Sequence, residues 1–216
     1  MSDAPPDASA LPASADALAA RLGLGEAAAG DFARYRELLE DWSGRMNLVG
    51  PSALADFWPR HAADCAQLLA LAPQAVRWAD LGSGAGLPGM ILAIALKGRP
   101  RAEVLLVESL QKRCRFLEAV VDTLKLPARV VEGRAEVQTP PAVEVVTARA
   151  VAPLDTLFGY ALPFMRKGAT GLFLKGRGAQ AELDAARRRW RVRAELLPSA
   201  TDAEARIVRV RSLARG

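Results

Sequence analysis

Ten consecutive residues, Asp80-Leu81-Gly82-Ser83-Gly84-Ala85-Gly86-Leu87-Pro88-Gly89, combine a carboxylate with four glycines. Glycine turns the backbone through conformations closed to other residues and lets a ligand approach the peptide itself. Each glycine also costs chain entropy and leaves a packing position empty, so a turn with no ligand explains four of them poorly. Such a loop, between a strand end and a helix start, suits a nucleotide-like cofactor. Two cofactors satisfy the spacing. Gly84-x-Gly86-x-x-Gly89 matches the dinucleotide fingerprint, with Glu108 lying 19 residues beyond Gly89, near the distance of a ribose-binding acid. Asp80-x-Gly82-x-Gly84-x-Gly86 matches the S-adenosylmethionine pattern equally well. Electrostatics lean to the second, because a pyrophosphate gains nothing from the Asp80 carboxylate whereas an ammonium and a sulfonium are attracted to it. In either case Glu108 can accept hydrogen bonds from both ribose hydroxyls. Hydride chemistry also needs an acid/base, and the sole histidine, His61, lies ahead of the strands. Methyl transfer asks mainly for in-line placement and exclusion of water.

The elements that must position these residues follow from apolar periodicity. Strands are expected at Val76–Leu81, Glu103–Glu108, Ala128–Glu132, Val143–Thr147 and Ala169–Lys175. Between them Pro88–Lys97, Ser109–Leu124, Leu154–Met165 and Ala179–Trp190 read as helices, with a short turn at 134–138. This alternation predicts a parallel sheet covered on both faces. Val192–Leu197 and Arg206–Val210 have no helix between them and read as a closing antiparallel hairpin, completing seven strands. Ahead of the sheet, about Glu26–Trp42 and Phe57–Leu71 are helical, so a helical cap over residues 16–73 precedes a cofactor-binding domain over 74–216. Residues 1–15, rich in Ala, Ser, Pro and Asp, read as a disordered tail. The fold class is α/β, a Rossmann-like domain with an N-terminal helical cap.

Composition excludes several classes. The 216 residues are 51% apolar and 25% charged, enough for a real core. The uncharged stretch Leu81–Leu96 is broken by glycines and a proline and makes a poor membrane span, and the N-terminus shows no secretory pattern. Cys65 and Cys114 are too few for a disulfide scaffold or a four-ligand zinc site and read as buried apolar residues. A cytoplasmic protein with no membrane partner and no metal is expected. The formal net charge of +5 is unevenly spread: residues 1–30 carry −3, residues 31–165 balance, and residues 166–216 carry +8. A basic end of this kind suits a phosphate-bearing partner, although arginines can also merely solvate a helix end and a strand.

Five blocks in order make the chain similar to a known family. They are Met46-Asn47-Leu48-Val49, Arg60-His61-x-x-Asp64, the loop Asp80–Gly89, Glu108-Ser109-x-x-Lys112-Arg113, and Thr147-Ala148-Arg149-Ala150 followed by Leu174-Lys175-Gly176. From about Trp42 to Ala179 the sequence resembles the bacterial small-subunit ribosomal RNA methyltransferase G family, also called glucose-inhibited division protein B. The resemblance implies a class I methyltransferase fold and transfer of a methyl group from S-adenosylmethionine to N7 of a guanine in a conserved loop of 16S rRNA. It also implies a link between loss of the protein and low-level streptomycin resistance. By motif, Gly82 and Leu87 would line the cofactor and Glu108 would hold its ribose. Ala135-Glu136 would flank the adenine, and Arg149 would face both cofactor and target base. The partner would be 16S rRNA or the small ribosomal subunit, bound by a monomer. Two other readings remain beside this one: a nicotinamide-dependent oxidoreductase, and a non-catalytic RNA-binding module of the same fold.

Guanine N7 carries an in-plane lone pair and no proton, so its methylation needs no general base, and no catalytic residue is assigned. Arg149 is expected to read guanine O6 or a phosphate, or else to form an ion pair with Asp80, Glu108 or Glu136. His61 and Asp64 share a helix face and read first as a polar pair packing the cap, with His61 otherwise bordering the RNA entrance. Lys175 and Arg177 are expected phosphate contacts, joined by Arg115, Arg166 and Lys167 in one basic path.

Overall fold

The structure, a computed structural model, describes residues 11–216, so most of the expected tail lies outside it. The chain enters through α1 (Ala15–Arg21), capped by Ser14, whose Oγ accepts from the Ala17 N–H (3.1 Å). This short helix was not expected, because one buried leucine among alanines carries little periodic pattern. Helix α2 (Glu26–Met46) follows and buries Phe32, Tyr35 and Leu39 along one face. After α3 (Pro51–Ala55), the single helix expected over 57–71 is divided into a π-helical turn (Phe57–Ala62), α4 (Ala63–Ala66) and α5 (Leu68–Leu71). Pro59 has no N–H to give to an α-helical ladder, and the Ala63 N–H reaches back to the Trp58 carbonyl.

The sheet then builds in the expected alternation. Its elements are β1 (Arg77–Leu81), α6 (Gly89–Leu96), β2 (Glu103–Glu108), α7 (Gln111–Leu124), β3 (Ala128–Glu132), a 3-10 turn (Ala135–Val137) and β4 (Val145–Arg149). They continue with α8 (Leu154–Met165), β5 (Thr170–Lys175), α9 (Ala179–Ala186), β6 (Trp190–Pro198) and β7 (Arg206–Arg215). The strand order is β3-β2-β1-β4-β5-β7-β6, with only β7 antiparallel to its neighbours. Successive residues of β1 and β2 face opposite sides: Trp78, Val104 and Leu106 join the core under the cap, α6 and α7, while Ala79, Leu105 and Val107 join the core under α8 and α9. Every residue of α6 is buried, since the helix lies between sheet and cap. The uncharged stretch Leu81–Leu96 is therefore interior chain, and no helix of the described residues is long and apolar enough to cross a membrane.

Several boundaries move by one or two residues, and β7 runs five residues past the expected Val210 to Arg215. Strand β4 extends to Arg149, pairing Ala148 with Phe173 and Arg149 with Leu174, although neither residue is β-branched. Trp190 opens β6 instead of closing α9: its indole packs edge-on against Phe158 and its Nε1 donates to the Asp155 carboxylate (3.0 Å). Parallel pairing brings Asp80, Glu108, Arg149 and Lys175 to or near the carboxyl edge of the sheet. The order reverses between β1 and β4, the place where open α/β sheets bind ligands.

Candidate functional site

The glycine loop is held from below by Asp80. Its Oδ2 accepts from the Gly89 N–H (3.0 Å) and its Oδ1 from Thr147 Oγ1 (3.2 Å), and the carboxylate is fully buried. Asp80 thus joins β1, β4 and the start of α6, and it does not line the clefts described below. Burial pushes its carboxyl up to about 7, against the opposing effect of these hydrogen bonds. A carboxyl raised on folding stabilises the native state most below its ordinary pKa of 3.8, and that contribution is lost as pH rises towards about 7. Urea unfolding is therefore expected to show stability falling with pH over this range, by up to about 1.4 kcal/mol per pH unit from this group. Asp80→Asn should flatten that slope; an unchanged slope would exclude Asp80 as its source.

From above, the loop is held by the cap. Tyr35 of α2 donates its hydroxyl to the Ala85 carbonyl (2.7 Å), and Gly86 (φ +91°) lies so close that an added Cβ would fall 3.1 Å from that hydroxyl and 2.5 Å from Met90 Cγ. Gly86 therefore faces protein and lines neither of the first two clefts. Tyr35 lies on the buried face of α2, and no local pattern in the sequence marks its hydroxyl as the group that holds the loop.

Three clefts meet around the end of β4. The first, about 370 Å³, is lined by Gly82 and Glu108, by Ala135 and Glu136 of the 3-10 turn, and also by Leu110, Arg113 and Tyr160. Glu108 is only 4% exposed and already accepts three backbone hydrogen bonds: Gly84 N–H on Oε2 (2.9 Å), with Ser109 N–H (2.7 Å) and Leu110 N–H (2.8 Å) on Oε1. A carboxylate offers about four acceptor sites, so Glu108 has room for one further donor and not for both hydroxyls of a ribose.

The second cleft, about 270 Å³, brings Gly82, Gly84 and Leu87 of the loop together with His61 and Arg149, and with Leu48, Val49 and Ala53 of the cap. Here the expected pairing of Arg149 is corrected. Its partner is Asp64, at 3.4 Å from Nε to Oδ2, and not Asp80, Glu108 or Glu136. Arg149 Nη2 meets His61 Nδ1. An arginine only donates, so Nδ1 accepts and the ring proton sits on Nε2. Burial, reinforced by the Arg149 charge, lowers the His61 pKa and keeps the ring neutral at pH 7. Asp64 in turn accepts on Oδ1 from Gln67 Nε2 (2.9 Å) and Thr201 Oγ1 (2.9 Å), which ties the β6–β7 connection to the cap. His61 and Asp64 thus pair with Arg149 instead of with each other.

The third cleft, about 270 Å³, lies beyond Arg149 and is lined by Arg60, Asp64, Lys175, Asp202 and Arg206. Lys175 is placed differently from the expected free phosphate contact. Its Nζ is held by Glu182 (2.7 Å) and the Ala152 carbonyl (2.9 Å), because α9 passes beside the end of β5. Arg177 is exposed and paired with Glu204 (2.6 Å). The expected path through Arg166 and Lys167 does not form. Helix α8 runs back from the carboxyl edge, and Lys167 donates to the Pro140 carbonyl ahead of β4, at the opposite edge. Ala150, in the left-handed region (φ +53°), borders all three clefts and was not foreseen.

This sheet order, with a glycine loop after β1 and an acid closing β2, defines a Rossmann-like methyltransferase. The O-methyltransferase from Bacillus cereus, solved in complex with SAH, superimposes with a TM-score of 0.55 over 83% of this chain and 91% of that one at 14% identity. A SAM-dependent methyltransferase from Aquifex aeolicus gives 0.54 over 82% and 97% at 12% identity. A sequence model of rRNA small subunit methyltransferase G matches residues 29–207. Ribosomal RNA small subunit methyltransferase G of Caulobacter vibrioides (strain NA1000 / CB15N) is 52% identical over 196 residues, covering 91% of this chain and 90% of that one. That of Methylobacterium sp. (strain 4-46) is 46% identical over 206 residues, covering 94% and 97%. The chain belongs to the rRNA small subunit methyltransferase G family. Neither the oxidoreductase nor the non-catalytic reading finds support among these relatives.

Proposed function

We propose that the protein methylates N7 of a guanine in a conserved loop of 16S rRNA, with S-adenosylmethionine as its methyl donor. The observation that carries this reading is the second cleft, where the glycine loop, His61 and Arg149 face one volume. The bound cofactor supplies a methyl group on a sulfonium, an activated leaving group. Guanine N7 carries no proton, so accepting that methyl group would require no base from the protein, and His61 and Arg149 would serve to place the guanine.

The residues fit this cofactor. Gly84 offers its open side to the cleft, where an added Cβ would find no heavy atom nearer than 3.7 Å. Glu108 takes one ribose hydroxyl, and Ala135 and Glu136 flank the adenine in the first cleft. Arg149, held on one side by Asp64 and on the other by His61, braces the base without contacting N7, where a positive charge would oppose the developing cation. His61 presents a neutral Nε2–H, which matches the O6 acceptor of guanine and not the N6 amino group of adenine. Lys175 positions the β5 end, and Arg177 is released from Glu204 to meet a phosphate. Cells without the protein are expected to show low-level streptomycin resistance.

Labelled S-adenosylmethionine, incubated with the protein and small-subunit RNA from cells lacking it, should place one methyl group on guanine N7. Label on another atom, or none on naked RNA and assembled subunits alike, overturns the reading. Arg149→Ala should lower kcat by about 100-fold, the usual cost of a misplaced reacting group, while SAH affinity stays within about threefold. Unchanged turnover would remove Arg149 from the reaction.

A further inference from the structure

Five arginines lie between residues 187 and 193 and three between 209 and 215: Arg187, Arg188 and Arg189 in the turn that enters β6, and the other five on β6 and β7. Among the described residues three carboxylates pair with them: Asp184 with Arg187, Asp155 with Arg189, and Glu195 with both Arg209 and Arg211. The surplus of five equals the formal net charge of the chain, +5, so the rest of the protein is balanced. None of the eight lines the three clefts.

The strand register explains how the charge is displayed. Arg191 stands opposite Ala214 and Arg193 opposite Ser212, and residues opposite one another in an antiparallel pair share a face. Two long cationic side chains therefore stand beside two small ones, next to a shallow groove of about 590 Å³ that Val192 and Leu213 also line. Positions two apart on a strand are roughly 6.7 Å apart, comparable to successive phosphates of an RNA strand. The register shift at Arg193/Ala194 twists the hairpin here, and the Arg215 guanidinium stacks 5.3 Å from the Trp190 ring centroid, which stiffens its end. Strand β6 is the open edge of the sheet, so its outer backbone edge pairs with no other strand among the described residues. Arg188 and Arg193 are exposed, and their guanidinium groups have no ion pair or hydrogen bond among the described residues.

We infer that the arginine-rich end of the β6–β7 hairpin is a second docking surface for the rRNA backbone, separate from the clefts that hold cofactor and base. It rests on the rRNA reading above and adds a contact to phosphates away from the target nucleotide. Phosphate contacts by arginine give sequence-independent affinity with steep salt dependence, and they position the substrate without entering the chemistry.

The test compares wild type with the double variant Arg188→Glu/Arg193→Glu and with a control, Arg34→Glu/Arg45→Glu, on the exposed face of α2. Binding of a 16S rRNA fragment containing the methylated loop is followed by fluorescence anisotropy between 50 and 200 mM salt. Losing two phosphate contacts should reduce the slope of log K against log salt by about 1.5, raise KM for the RNA about tenfold, and leave kcat at saturating RNA and SAH affinity unchanged. The control should keep the wild-type slope. An unchanged slope in the double variant, as expected if the arginines only shield an open sheet edge, overturns the inference. So does an equal change in the control, or weakened binding confined to subunits that carry their proteins. Methyl incorporation by the wild type into the same RNA tests the enzymatic reading separately.

Discussion

Glu108→Ala is expected to weaken SAH binding at least 100-fold, measured by titration calorimetry, with the largest effect of any single side-chain truncation in the first cleft. The reason is geometric. One carboxylate accepts the N–H groups of Gly84, Ser109 and Leu110, thereby fixing the glycine loop relative to the turn that enters α7. Hydrogen bonds to a charged group contribute about 1.5–3 kcal/mol each, and truncation removes the acceptor from three part-buried donors. Their total, about 4.5–9 kcal/mol, exceeds the ~2.7 kcal/mol that corresponds to 100-fold in affinity. Glu108→Gln should fall between, since its amide nitrogen turns a donor towards donors. Wild-type affinity in Glu108→Ala would show that the clasp does not govern the cofactor site.

Gly89→Ala is the second large effect, and it arises from packing. An added Cβ would lie 2.3 Å from Leu106 Cδ2 and 2.8 Å from Asp80 Oδ2, both on fully buried side chains. Relief requires α6 to move off the sheet, which breaks the hydrogen bond from Gly89 to Asp80. Overpacking costs about 1–3 kcal/mol and the hydrogen bond to this raised carboxyl about 0.5–1.5, so a loss of roughly 3 kcal/mol is expected. For a chain of this size that lowers Tm by about 6–12 °C. SAH affinity should fall at least tenfold, because the same displacement carries the loop away from Glu108. A Tm within 1 °C of wild type would mean that the contact between α6 and β2 is looser than these distances imply.

Much of this architecture was legible in the chain because it depends on local pattern. Apolar runs of four to six residues, interrupted by amphipathic stretches, specify strands buried on both faces with helices between them. The loop was legible because only glycine tolerates its approaches, and Glu108 because an acid ending the second strand lies beside that loop. Helix α1 was missed for want of pattern. The division of residues 57–71 was missed because the effect of Pro59 on a hydrogen-bond ladder depends on what packs around it.

By itself, the sequence determined the order of strands and helices, the cofactor loop and the residues brought to the carboxyl edge of the sheet. Only the tertiary structure decided what those residues touch: Asp64 and His61 on Arg149, Tyr35 on Ala85, Glu182 on Lys175, and Asp80 turned beneath the loop instead of into a cleft. The physical reason is range. Backbone conformation follows from neighbours a few residues away, whereas the partner of a buried charge is whichever distant side chain the packing of cap and sheet brings within about 3 Å, and no local pattern encodes that choice.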